Sequence, residues 1–160
     1  MSKPAAAALF GLTGLLVVSG PLSCGREPVD PVRALVDALA EAAEDRDADG
    51  ILERLDPGFS AQGGLTRADA AASLRRYFAG YETIDVEVFD VESQPGDGVT
   101  RVRARIGFSG QANRAYGLEG LLPPSALYRF DLDVAEHDGV WRVTRAAWER
   151  ATPPAAAAAP

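Results

Sequence analysis

The 160-residue chain has one cysteine and one histidine. A single cysteine closes no internal disulfide, so the fold has none of the bridges that hold many small exported domains together. The histidine, His137, stands in a His-Asp-Gly turn signal, away from any interior where an imidazole would serve as a base. Basic charge is also short: 16 Lys and Arg against 23 Asp and Glu leave a net charge of −7. That balance argues against nonspecific nucleic-acid binding, which relies on a basic surface. A long apolar run is missing as well. The strongly apolar stretch Ala5 to Val18 has 14 residues, whereas a membrane-spanning helix needs roughly 20. Apolar residues still make up 47% of the chain, although 29 of the residues are alanine. Such a composition excludes wholesale disorder.

The beginning of the chain reads as an export signal. Lys3 is followed by 22 uncharged residues, Pro4 to Gly25. The apolar run inside them ends at Ser19-Gly20-Pro21. A basic start, a short apolar core and a small-residue boundary make a secretory signal. The cysteine, Cys24, follows in SGPLSCG. This position resembles the lipidation site of bacterial lipoproteins, where a small residue precedes the cysteine that becomes the acylated N-terminus. Leu22 and Ser23 fit that pattern; Pro21 stands where such proteins usually have an aliphatic residue. The resemblance implies a signal peptide over 1–23, a palmitate-type anchor at Cys24 and a tether over 24–29. Gly25, rather than Asp, after the cysteine implies sorting to the outer membrane, facing the periplasm. The alternative is ordinary cleavage nearby, for example after Gly25, which would discard Cys24.

Some 121 residues, Asp30 to Arg150, remain as one domain, followed by an Ala/Pro tail over 151–160. Asp30-Pro31 is an N-cap followed by proline at the first helical position. Val32, Leu35, Val36, Leu39 and Ala43 then recur at helical spacing. Asp45 to Gly50 breaks that helix. A short apolar turn, Ile51-Leu52-Leu55, runs into Asp56-Pro57-Gly58. Gly63-Gly64 marks a small hairpin within Phe59 to Leu65. Thr66 and Asp69 resemble a capping box before a third helix, whose apolar face carries Ala70, Leu74, Tyr77, Phe78 and Tyr81. After Glu82 the period changes to two. Ile84–Val88, Val102–Phe108, Tyr128–Val134 and Val140–Arg150 are four half-buried strands joined mostly by short turns. Helices first and strands later predict an α+β fold, three helices packed on one face of a curved antiparallel sheet of about four strands.

This order resembles the nuclear-transport-factor-two-like, or cystatin-like cone, superfamily. The closing stretch Asp138-Gly139-Val140-Trp141-Arg142-Val143, followed by Trp148, is similar to that superfamily's last hairpin, and Asp47 to Leu55 to its segment after helix one. The resemblance implies a cone-shaped pocket. It does not imply one reaction, because the superfamily includes steroid isomerases, dehydratases, transport adaptors and binding modules.

Enzymes of that kind place Asp, His or Tyr on the pocket side of the sheet. Here the apolar face of the strands holds no carboxylate or imidazole. Asp90 shares the inward parity, at a strand end where a bulge would turn it outward. The expected ligand wall is therefore Tyr77, Tyr81, Phe108, Tyr128, Trp141 and Trp148. Trp148 joins it only if a bulge near Arg145 or Ala146 restores its parity. Amphipathic tyrosines at the edge of a filled core account for the same residues. On the other face Asp85 and Glu87, then Arg101, Arg103 and Arg105, then Asp131 and Asp133, then Arg142 alternate in sign from strand to strand. They read as an anion site or as a self-paired solvated surface. Asp45 to Asp56 fits a calcium-loop pattern, or an interhelix turn with Asp49 as N-cap. Gly110 to Pro124, with Tyr116, Leu118, Leu121 and Leu122, is long enough to cover a pocket mouth or to be an ordinary packed insertion.

The sequence therefore predicts a lipid-anchored envelope protein with a binding or scaffolding domain, rather than an enzyme, and without a cofactor or metal. Its partners would be the membrane, a small apolar ligand or an envelope protein, and no nucleic acid. The alternatives are an isomerase or dehydratase using Tyr and Asp90, and a calcium module.

Overall fold

The computed structural model describes residues 30–113 and 125–152. The expected export segment and tether, with Cys24, nearly all of the alanine-rich tail and the 114–124 part of the long connection lie outside the described residues.

Helix α1 (Pro31–Glu44) begins where the Asp30 carboxylate accepts the Val32 amide at 3.0 Å, with proline in its first turn. Val32, Leu35 and Val36 turn one apolar stripe inward and are all buried. Arg46 then takes a positive φ of 56°, and its guanidinium donates to the Tyr81 carbonyl at 3.0 Å. Helix α2 (Ala48–Glu53) is capped by Asp47, whose side chain accepts the Gly50 amide. The cap is Asp47 rather than the expected Asp49, and the choice of Gly at position 50 follows from it: a Cβ there would collide with the Asp47 carboxylate.

Strand β1 (Leu55–Ala61), a short 3-10 turn over Gln62–Gly64 and strand β2 (Leu65–Thr66) come next. The capping box at Thr66 and Asp69 opens α3 (Arg67–Ala79). The Thr66 hydroxyl, and secondarily its amide, hold the Asp69 carboxyl below its usual range. Gly80 ends α3, so Tyr81 is the first residue of β3 (Tyr81–Pro95), not part of the helix face assigned to it from spacing. Strands β4 (Thr100–Ala112), β5 (Ser125–His137) and β6 (Val140–Arg150) complete the sheet. Asp138 and Gly139, both at positive φ, form the two-residue turn between β5 and β6.

The sheet has six strands rather than about four, in the order β2-β1-β6-β5-β4-β3. The additional pair is the small hairpin, whose first strand starts earlier than its glycines imply and lies parallel to β6. Pro57-Gly58 reads locally as a turn but falls in the irregular stretch of that pairing, between Leu55 and Ser60. The other pairings are antiparallel.

Two apolar clusters line the concave side. The larger packs α1 against Val102, Ala104, Ile106, Leu132, Val134, Val143 and Ala146 of the sheet. The smaller joins Ala48, Phe78, Tyr81 and Ile84. Phe108 packs against both. On the convex side Arg103–Asp131, Arg105–Asp90, Arg129–Glu149 and Arg145–Asp133 are paired across strands. That surface is largely self-paired, each exposed pair being worth about 0–1 kcal/mol.

Candidate ligand site

The inward register of the sheet sets which side chains can meet. Val86 stands opposite Phe108, which stands opposite Ala126. Ile106 stands opposite Tyr128, and Ala104 opposite Phe130. Across β6, Phe130 pairs with Trp148 and Tyr128 with Arg150. The ring contacts follow this lattice: Phe108–Tyr128 at 5.9 Å, Phe108–Phe130 at 6.2 Å, Tyr128–Phe130 at 6.2 Å and Phe130–Trp148 at 6.3 Å between centroids. The four rings form one continuous wall in the edge and tilted geometries that aromatic quadrupoles favour.

Trp148 reaches that wall because β6 holds one extra residue. Asp133 pairs with Arg145 and Val134 with Val143, leaving Thr144 without a partner position. Its hydroxyl donates to the Asp133 carbonyl at 3.0 Å. The extra residue restores the inward parity, one position before the Arg145–Ala146 step expected from the sequence.

Tyr77 and Tyr81 arrive from another direction, the end of α3 and the start of β3. Their hydroxyls are 3.3 Å apart and their rings 4.9 Å apart. Tyr81 is 3% exposed and Tyr77 41% exposed, so the pair grades from the core to its rim. Gly110 makes room for it, since a Cβ at that position would meet the Thr83 carbonyl and lie 3.0 Å from the Tyr81 ring. Burial pushes the Tyr77 phenol up from its ordinary value. The Tyr81 hydrogen bond adds to this, followed by repulsion from Tyr81 and Tyr128 once they are charged. Tyr77 is therefore a hydrogen-bonding phenol, not a phenolate base.

Trp141 does not join this group. It packs against the larger cluster from the far end of β6, opposite Glu136. Seven positions separate it from Trp148, roughly 20 Å of strand at the ordinary rise per residue. Asp90 faces away. Phe89 is an unpaired bulge residue between Val88 and Asp90, so Asp90 emerges on the convex side in an ion pair with Arg105. Phe89 lies there too, 46% exposed, with the Arg105 guanidinium 5.9 Å from its ring centre.

The acidic residues of the 45–56 segment are drawn apart. Asp47 caps α2, Asp49 pairs with Arg75 at 2.7 Å, and Asp56 accepts the Gly58 amide and lies 3.8 Å from His137. Among the described residues no three His, Cys, Asp or Glu side chains converge as metal ligands do. Two residues at the site were not singled out from the sequence: Phe130, which was grouped with the core, and Arg150, whose parity is set by the bulge.

No protein-family model matches the sequence, and no curated protein matches it either. Solved structures do resemble it. An uncharacterised protein with a cystatin-like fold from Caulobacter vibrioides superposes with a TM-score of 0.63 at 18% identity, covering 78% of this chain and 89% of that one. A proposed scytalone dehydratase from Novosphingobium aromaticivorans gives 0.65 at 9% identity, covering 76% and 83%. LinA gives 0.62 at 12% identity, covering 79% and 88%. At these identities the likeness establishes the fold: an α+β cone of the cystatin-like, nuclear-transport-factor-two type. A fold of this kind leaves the chemistry to the side chains that line it.

Proposed function

We propose that this protein is an exported, lipid-anchored binding protein of the bacterial envelope, whose cone receives a flat, mostly apolar small molecule. One observation carries the reading: Phe108, Tyr128, Phe130 and Trp148 form a ring wall beside the Tyr77–Tyr81 phenol pair, and the strand positions paired around that wall (Val86, Ala104, Ile106, Ala126) hold no carboxylate or imidazole. Apolar walls with a few convergent donors bind and orient a ligand without supplying a base. Trp148 emission of the full chain, titrated with flat aromatic compounds, tests this. A saturable change lost in Trp148→Phe, with Trp141 left as internal reference, is expected. No saturable change in the wild type, together with unfolding of Tyr128→Ala, makes the rings a filled core and removes the site.

A second reading is an enzyme of the isomerase or dehydratase kind, favoured by fold neighbours such as LinA and the proposed scytalone dehydratase. On this chain Tyr77 and Tyr81 would be its polarising donors, since Asp90 is on the convex side. Mass spectrometry of a bound compound after incubation separates the two. Turnover that Tyr81→Phe abolishes decides for the enzyme.

A further inference from the structure

The unpaired Thr144 position places more than Trp148. Beyond it the parity runs Ala146, Trp148, Arg150, which stand opposite Leu132, Phe130 and Tyr128. Arg150 is therefore the one charged residue of β6 on the register of the ring wall, at its Tyr128 end. Its backbone is held there, because the next amide, Ala151, still donates to the Leu127 carbonyl at 2.8 Å. At the same end Gln62 accepts the Trp148 amide at 3.2 Å.

The nearby acids do not neutralise this guanidinium. Glu149 alternates to the convex side, 2.9 Å from Arg129. Asp131 is also convex and is shared by Arg103 and Arg129. Arg103, Arg105, Arg129 and Arg145 each have a carboxylate. Arg150 is exposed and has no ion pair among the described residues. The neighbouring phenols offer donors and no negative charge. A planar guanidinium on the register of an aromatic wall is complementary to a carboxylate on a flat apolar body, which it can hold by two parallel hydrogen bonds.

We infer that the ligand of this cone is a flat aromatic acid, its apolar body on the Phe130–Trp148 wall and its carboxylate on Arg150 at the mouth. The inference rests on the binding reading above and names the ligand class for that site. Calorimetric titration of the full chain with 2-naphthoate and with its methyl ester, of similar shape but uncharged, tests it. Naphthoate should bind about tenfold more tightly than the ester, the usual size of a charge-assisted hydrogen-bond contribution. Arg150→Gln should remove that preference while leaving ester affinity unchanged, which also reports that the variant is folded. Equal binding of acid and ester to the wild type overturns the inference and leaves the binding reading standing, as does a preference that survives in Arg150→Gln. Binding of neither compound overturns both.

Discussion

Tyr77 and Tyr81 are four positions apart, yet they belong to a helix end and a strand start, with Gly80 as the hinge between them. Spacing alone places both on one helical face. The pairing of their hydroxyls instead depends on α3 stopping after Ala79. The consequence is a pH dependence whose sign is fixed. A phenol titrates ordinarily at 10.0, and burial with the Tyr81 hydrogen bond raises Tyr77 above this. Below that pH both folded and unfolded chains keep the proton, and Tyr77 adds no slope. Above it the unfolded chain loses the proton first and binds fewer protons than the native state, so stability falls as pH rises. An absorbance titration in the phenolate band should therefore show a tyrosine step above the ordinary value. Tyr77→Phe should delete that late step and flatten the alkaline loss of stability. A titration of the wild type with no step that Tyr77→Phe removes would contradict the phenol pair.

At the scale of the element, two single extra residues decide what the concave side contains. Phe89 in β3 sends Asp90 outward, and Thr144 in β6 brings Trp148 and Arg150 inward. A one-residue shift reverses every later side chain in a strand. Deleting the unpaired Thr144 should therefore leave the pairs on either side of it, and Trp148 and Arg150, in place, whereas deleting the paired Ala147 should put Glu149 on the wall in exchange for Trp148 and Arg150. Red-shifted tryptophan emission and a large fall in Tm are expected of the Ala147 deletion. Thr144→Val keeps the extra residue and loses only the hydrogen bond to Asp133, worth about 0.5–1.5 kcal/mol. An Ala147 deletion variant with native emission and Tm would show that β6 can re-register without cost. These elements also mark how far the sequence was legible. Alternation located β3 to β6 and the inward parity of Phe108, Tyr128 and Trp141, because one face of each strand is buried. It missed β1, whose strand pairing with β6 spans most of the domain and whose Pro57-Gly58 looks like a turn. Alternation gave no sign that Trp141 stands at the other end of β6 from Trp148, since parity reports a face and not a position along it. Arg150 escaped for the opposite reason: its side of the sheet depends on a bulge whose position has no residue signature of its own.

For the molecule as a whole, the distance between the cone and the proposed anchor is short. The first capped turn of α1 begins at Asp30, six residues beyond Cys24. Six residues span at most about 20 Å when fully extended, so an acylated Cys24 would keep the cone close to the membrane. Charge would not assist the attachment. A net charge of −7 is repelled by an anionic lipid surface, and four of the convex arginines, Arg103, Arg105, Arg129 and Arg145, are already occupied by carboxylates. Attachment then depends on the acyl chains, and stable anchoring takes more than one of them. Intact-mass analysis of membrane-fraction protein should accordingly show a chain beginning at Cys24 with the added mass of its lipids. Cys24→Ser should lose that mass while leaving Tm and ligand affinity unchanged, because the packed core starts at Val32. A soluble wild-type form that retains an unmodified Cys24, or one that begins at Arg26, would remove the anchor and leave the cone as an unattached binding protein.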